Sequence, residues 1–451
     1  MRKHLRLALC GMAAVVLAGC VIIGDRLDQF RTRFLTVPFF VFDNAPGYKK
    51  PPQAPVMEDD TNLVVAISGG GVRSSVFASG VLEQLACMKD PRNPSRSLLE
   101  RVDAICAVSG GSVAAAYYGL YKPNSFSNPQ TTAQFFQQFK SNMTLDIFMR
   151  GWAHYVSHPW EGAGRYYSRY RFVQSLANTY DQHMFKGATF AQLAQREAAG
   201  ESPAVILYSA SLDSGKKFLF TNLNVCDKFN VNPSKLIGEL PGSVPESDVA
   251  GMTMLAQIAG SQIYSSFGFD SIDSDICSFH ISSAIAASSA QPVLPGPATL
   301  IDYKTNGYVH LADGGINDNF GIDALVEMYL AKLQRGGKHK KLVVISIDSA
   351  SKTPGRGKVG DPDGYMGALS YGNQAFSSLT ARGQTFASVV YGSLSSIKVV
   401  PLQLWEAPNL STLSDRAFGG SISETDMYKV LGAAATVTQK HAGDIKAAFG
   451  E

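Results

Sequence analysis

Three stretches of this chain are apolar almost without interruption: Asn62–Ser68 (NLVVAIS), Ala104–Val108 (AICAV) and Lys341–Asp348 (KLVVISID). A strand with one wet face alternates apolar and polar residues, whereas a continuous apolar run is dry on both faces. Helical spacing follows the first run, with Val72, Val76, Gly80, Val81 and Leu85 on one stripe, and Ser112–Gly119 reads as a helix after the second. Strands buried on both faces and separated by helices predict an α/β fold, a mostly parallel central sheet with helices on both faces. Pro203–Asn222 reads as two strands around an Asp213-Ser214-Gly215 turn, and Ser423–Phe449 as a C-terminal helix opened by Ser423 with Asp426 three residues on.

Glycines stand where these strands end. In AISGGGVRSSVF, Ala66–Phe77, a buried strand delivers Gly69, Gly70 and Gly71 to the start of a helix. Such a turn presents unpaired backbone N–H groups and lets a ligand approach the main chain closely. The Gly-Lys-Ser/Thr ending of a phosphate loop is missing. Gly69, Gly71 and Ser74 have the offsets of a dinucleotide loop, but Asp90, the acid nearest the expected distance, follows a helix rather than a second strand. A third reading is an oxyanion hole.

In DAICAVSGGSVAAAYYG, Asp103–Gly119, a strand ends at Ser109 and a helix begins beyond Gly110 and Gly111. That is the outline of a nucleophile elbow, and equally of a helix N-cap serine. In YVHLADGGINDNFG, Tyr308–Gly321, Asp313 ends a strand before Gly314 and Gly315. It suits an Asx turn or a catalytic carboxylate. His310 lies three residues earlier, so the alternation of a strand puts it on the opposite face from Asp313, and only one of the two points at Ser109.

Together these pieces resemble the patatin-like phospholipases, which combine a GGGxR loop, a GxSxG elbow and a DGG or DGA aspartate in that order. Here they are Gly69-Gly70-Gly71-Val72-Arg73, Ala107-Val108-Ser109-Gly110-Gly111 and Asp313-Gly314-Gly315. The small-residue run ISSAIAASSAQPVLP looks like the block such proteins place between elbow and aspartate. The chain departs from the pattern at Ala107 and at Ser74, small residues where glycine is usual. The resemblance spans about Asn62 to Asp348. It implies a three-layer patatin-like sandwich and a serine acyl hydrolase of phospholipase A or lysophospholipase type that needs no cofactor or metal. Ser109 is then the nucleophile and Asp313 the base, without histidine. Gly69, Gly70 and Gly71 form the oxyanion hole, and Arg73 and Gly110 contact the substrate, a phospholipid or other lipid ester. An α/β-hydrolase triad would need a late histidine, for which His339 and His441 are the candidates. A non-catalytic lipoprotein binding module on the same fold is the reading outside enzymes.

The N-terminus has its own pattern. Arg2, Lys3 and Arg6 precede an apolar stretch, Leu7–Leu17, too short to cross a bilayer and suited to a secretory signal. Leu17-Ala18-Gly19-Cys20 resembles the lipobox of bacterial lipoproteins, which implies cleavage after residue 19 and a lipid on Cys20. Val21, rather than Asp, after that cysteine implies the outer membrane, facing the periplasm. Removing residues 1–19 takes away three of the 40 Lys and Arg and none of the 37 Asp and Glu, so the remainder is formally neutral. Nucleic-acid binding has no electrostatic support. Asp43–Asp60, with four prolines, reads as an extended tether. The expected organisation is a signal over 1–19, a lipid-anchored tether over 20–60, a catalytic domain over 61–350 and a C-terminal extension over 351–451 packed on it.

The aromatic stretch Phe148–Phe172, with Trp152, Tyr155, Trp160, Tyr166, Tyr167 and Tyr170, is either a membrane-facing lid or a buried cluster. Ser351–Gly367 reads as a surface loop. Cys87 and Cys106 are expected to be buried thiols. Cys226 and Cys277, in polar segments of an oxidising compartment, either pair or stay free.

Overall fold

A computed structural model describes residues 42–157, 172–291, 296–336, 340–349, 389–408, 410 and 422–450. The signal segment, Cys20, residues 20–41, Trp160, Tyr166, Tyr167, Tyr170, His339 and the Ser351–Gly367 stretch lie outside the described residues.

Nine strands form the main sheet: β1 (Thr61–Ile67), β2 (Ala104–Val108), β3 (Ala204–Ser211), β4 (Lys217–Phe220), β5 (Ser266–Gly268), β6 (Ala298–Asp302), β7 (Gly307–Asp313), β8 (Lys341–Asp348) and β9 (Ile397–Gln403). The order is β6-β7-β3-β2-β1-β8-β9, with β4 pairing β3 and β5. The run β3-β2-β1-β8-β9 is parallel throughout, and β6 and β7 are antiparallel additions at the edge.

The continuous apolar runs are the central strands, and every residue of β1 and β2 is buried. Their alternate side chains feed two cores. Leu63, Val65 and Ile67 join one with α1 (Gly71–Cys87), α2 (Gly110–Tyr121) and α3 (Ile281–Ser288). Val64, Ala66 and Cys106 join the other with α4 (Ile322–Leu333). The last helix of any length, α5 (Glu424–Lys440), begins where the Ser423 hydroxyl accepts from the Asp426 N–H, and lies on α1. A Cβ on Gly80 of α1 would stand 2.7 Å from the Ala434 methyl, so the closeness of these two helices depends on that glycine.

Residues 42–60 are extended, as their prolines require, but they are strapped to the body rather than free of it. The Phe42 N–H donates to the Thr299 carbonyl on β6 (3.0 Å). Asn44 is buried and mimics a strand neighbour, donating to Ile301 O and accepting from Ile301 N, both at 2.9 Å. Ala54, Val56 and Met57 are buried against the α4 face. Composition signals an extended chain; it carries no information about whether a core face waits for it.

The cysteines correct one expectation and decide between two alternatives. Cys106 is buried, but Cys87 closes α1 with its side chain in solvent. Cys226 and Cys277 are both free thiols, and the Cys226 sulfur lies 3.4 Å from the Ser271 hydroxyl.

Candidate active site

The sheet brings Ser109 and Asp313 together through β3. Along one edge of that strand, β2 runs as far as the Val108–Tyr208 pair and stops. On the other edge, both Tyr208 and Ser209 are taken by β4. The next free position on the first edge is therefore Ser209, and β7 fills it with Asp313. The ends of β2 and β7 thus meet head-on, one residue apart on a common strand.

Ser109 itself has φ 52° and ψ −125°, a conformation that costs a non-glycine residue energy and persists only where its surroundings enforce it. Ser288, from the small-residue helix α3, does much of this. Its hydroxyl accepts the Ser109 N–H (2.9 Å), donates to the Tyr208 carbonyl (2.6 Å) and lies 2.8 Å from the Ser112 hydroxyl. The glycines after Ser109 answer to packing. A Cβ on Gly110 would lie 2.6–2.7 Å from the carbonyl carbon and Cα of Gly71 and nearer still to its oxygen. A Cβ on Gly111 would meet the Ser68 carbonyl oxygen at 2.7 Å. The elbow helix therefore rests directly on the glycine loop, backbone on backbone.

That loop ends β1. Gly70 (φ 149°) and Gly71 (φ 61°) adopt backbone angles that side chains disfavour. Open space lies before Gly71, where an added Cβ would meet nothing within 4 Å. At this helix start the N–H groups of Gly70 and Gly71 donate to no protein acceptor among the described residues. Gly69 differs. Its N–H donates to the Asn319 carbonyl (3.0 Å), and its own carbonyl accepts from the hydroxyls of Ser68 and Ser349, both at 3.2 Å. The Gly69 N–H is thus committed to a protein acceptor, and among the three glycines only those of Gly70 and Gly71 are left open. Arg73 sits on the first turn of α1, half-buried.

Asp313 is buried, and its carboxylate accepts from the Gly315 N–H (2.8 Å) and is partnered by the Ser109 hydroxyl. Burial pushes its pKa from 3.8 up to about 6, with those two donors working against the rise. Gly314 is enforced by contact, because a Cβ there would lie 2.6 Å from the Tyr208 carbonyl oxygen. His310 faces the other way, as the odd offset requires, and its ring and N–H both engage Asp213 (2.9 and 2.6 Å). His441 lies between Glu406 and Asp444 at the C-terminal helices, with both ring nitrogens engaged by those carboxylates (2.8 and 2.7 Å). Trp152 is partly exposed and meets Phe172 edge-on at 5.4 Å.

Three supporting residues escape a reading of motifs: Ser288, Asn319 and Ser349. Asn319 belongs to the aspartate loop, Ser288 to the small-residue helix and Ser349 follows β8. Only the serine-rich run around Ser288 hints at its use.

A family model, the patatin-like phospholipases, matches residues 65–326. Among solved structures the chain is similar to human GIVD cytosolic phospholipase A2, at 11% identity and a TM-score of 0.47 over 86% of this chain and 59% of that one. The same human protein in complex with methyl gamma-linolenyl fluorophosphonate gives 14% identity and a TM-score of 0.45, over 88% of this chain and 59% of that one. VipD from Legionella pneumophila gives 11% and 0.29, over 89% of this chain and 71% of that one. The chain therefore spans about three fifths of the length of the human phospholipase chains. No curated protein matches it significantly. The family match covers more than half of the sequence and takes in the glycine loop, the Ser109 elbow and the Asp313 turn, so the chain belongs to the patatin-like phospholipase family.

Proposed function

We propose that the protein is a lipid acyl hydrolase that cleaves carboxylic esters, of phospholipase A or lysophospholipase type, through Ser109 and Asp313. The observation that carries this reading is the head-on meeting of β2 and β7 on β3, which sets a strained serine against a buried carboxylate. Ser109 Oγ attacks the ester carbonyl while Asp313 takes its proton. The developing oxyanion lies against the N–H groups of Gly70 and Gly71. Asp313 returns the proton to the leaving alcohol, and water then attacks the acyl-enzyme, with Asp313 as base again. An ordinary carboxylate is a poor base for an alcohol, and burial makes this one stronger. Arg73, on the first turn of α1 directly after the glycine loop, and Gly110, next to Ser109, are the residues assigned to substrate contact.

The base must be ionised. Activity is therefore expected to rise with pH through a limb near 6, the value to which burial moves Asp313, and not near 3.8. A profile of fatty-acid release from pH 4 to 8 checks this; a limb at the ordinary carboxylate value would count against Asp313.

The same reading extends to the membrane. A lipid on Cys20 would hold the enzyme at the periplasmic face of the outer membrane. The strap supports this geometry, because Phe42 joins the body at β6, the neighbour of the strand carrying Asp313. The 22 residues from Cys20 to Phe42 reach at most about 70–80 Å. Cys20→Ser is expected to move the protein from the membrane to the soluble fraction while leaving hydrolysis of a soluble ester unchanged. Retention in the membrane fraction, without incorporated palmitate in the wild type, would remove the anchor from the account.

A further inference from the structure

A hydroxyl stands beside the Asp313 carboxylate that the mechanism above leaves unused. Ser209 is the cross-strand partner of Asp313 on β3 and β7. Directly opposed residues of an antiparallel pair share a face, with Cβ atoms about 4.5–5.5 Å apart. A serine and an aspartate at that separation can hydrogen-bond after rotation about χ1 alone. Ser209 is wholly buried, and its Oγ has no hydrogen-bond partner among the described residues, a state that buried hydroxyls rarely keep. On its other edge it faces Phe218, which offers none. Among the described residues the groups that act on Asp313 are few: Ser109 from the start of α2, Gly315 from its own turn, and no charged side chain. Its own N–H is taken by the Ala290 carbonyl.

The need for a further donor arises midway through the reaction. In the free enzyme the Ser109 hydroxyl donates to Asp313. In the acyl-enzyme that oxygen is esterified and has no proton. The carboxylate would then be buried with the Gly315 N–H alone, and a buried carboxylate short of donors takes up a proton and ceases to be a base.

We propose that Ser209 is a positioning residue for deacylation: its hydroxyl turns to Asp313 in the acyl-enzyme and keeps the carboxylate ionised. Water then loses a proton to Asp313 as its oxygen bonds to the acyl carbon. The carbon–Oγ bond breaks, the proton passes from Asp313 to Ser109 Oγ, and the free acid leaves. This inference rests on the Ser109–Asp313 reading.

The test acylates the full-length protein with a p-nitrophenyl ester and follows decay of the adduct by intact mass from pH 5 to 9. For Ser209→Ala, the acid limb of deacylation is expected to move up by about one pH unit, with about a tenfold slower decay below the limb. The difference should close towards pH 9, and acylation should change less than about threefold, since Ser109 still supplies its proton there. Ser209→Thr, which keeps the hydroxyl, should retain the wild-type limb. Should Ser209→Ala not fold, Ser209→Cys keeps the volume and carries the same expectation. A limb that stays in place, or a rate that falls equally at every pH, would overturn the proposal. If the wild type forms no adduct on Ser109, the failure lies with the dyad reading instead.

Discussion

Asp313→Asn is expected to lower ester hydrolysis by about 10²–10⁴-fold, the usual contribution of a positioned base, while making the protein more stable at neutral pH. Ser109→Ala should fall further, to background. The stability gain follows from linkage. In the fold the Asp313 carboxyl titrates at about 6, whereas in the unfolded chain it titrates near 3.8. The unfolded state therefore loses its proton first as pH rises. Folding stability falls between those two values and stays lower above them, by about 3 kcal/mol at pH 7. Asparagine has no charge to bury and escapes that cost. Thermal melts of Asp313→Asn and wild type should therefore draw apart as pH rises from about 4 to 6, with the variant higher, and stay apart above that. Activity lost without that divergence would mean that the carboxylate is not held in the buried state described.

Gly110→Ala should be nearly as damaging for a different reason. The added methyl meets the backbone of Gly71, at 2.6–2.7 Å from its carbonyl carbon and Cα, and backbone on both sides has no rotamer to yield. Either the elbow or the glycine loop must move by a large fraction of an ångström. A displacement of about 1 Å at such a site costs about 10²-fold in rate, and overpacking of this kind costs about 1–3 kcal/mol. Gly432→Ala, on α5 with nothing within 4 Å of the new carbon, is the control and should leave activity unchanged. Hydrolysis rates and melting temperatures of the two variants side by side check the expectation. Equal tolerance of both would mean that the elbow does not rest on the loop.

Much of this was legible before any coordinates, for identifiable reasons. Continuous apolar runs can be read because a central strand has no wet face, and every residue of NLVVAIS and AICAV is indeed buried. The His310–Asp313 offset can be read because strand periodicity is two, and His310 does face Asp213 instead of the serine. What was not legible depends on register between distant segments. Ser349 reaches the Gly69 carbonyl across 280 positions, and Ser288 reaches the Ser109 N–H across 179. No local pattern announces such partners, because serine hydroxyls suit many surroundings. Gly69 shows the same limit from the other side. Three successive glycines look equivalent in sequence, yet one N–H is committed to Asn319 and the next two are not. The exposed Cys87 and the strapped proline-rich segment fail for a related reason, since both outcomes were decided by what packs nearby.

The most direct test of the account is fatty-acid release from phospholipid vesicles by the full-length protein, beside Ser109→Ala, Asp313→Ala and His310→Ala. The account predicts that wild type and His310→Ala release fatty acid and that the other two do not. Release that survives the loss of Asp313, or that disappears with His310, would contradict a serine–aspartate dyad at the meeting of β2 and β7.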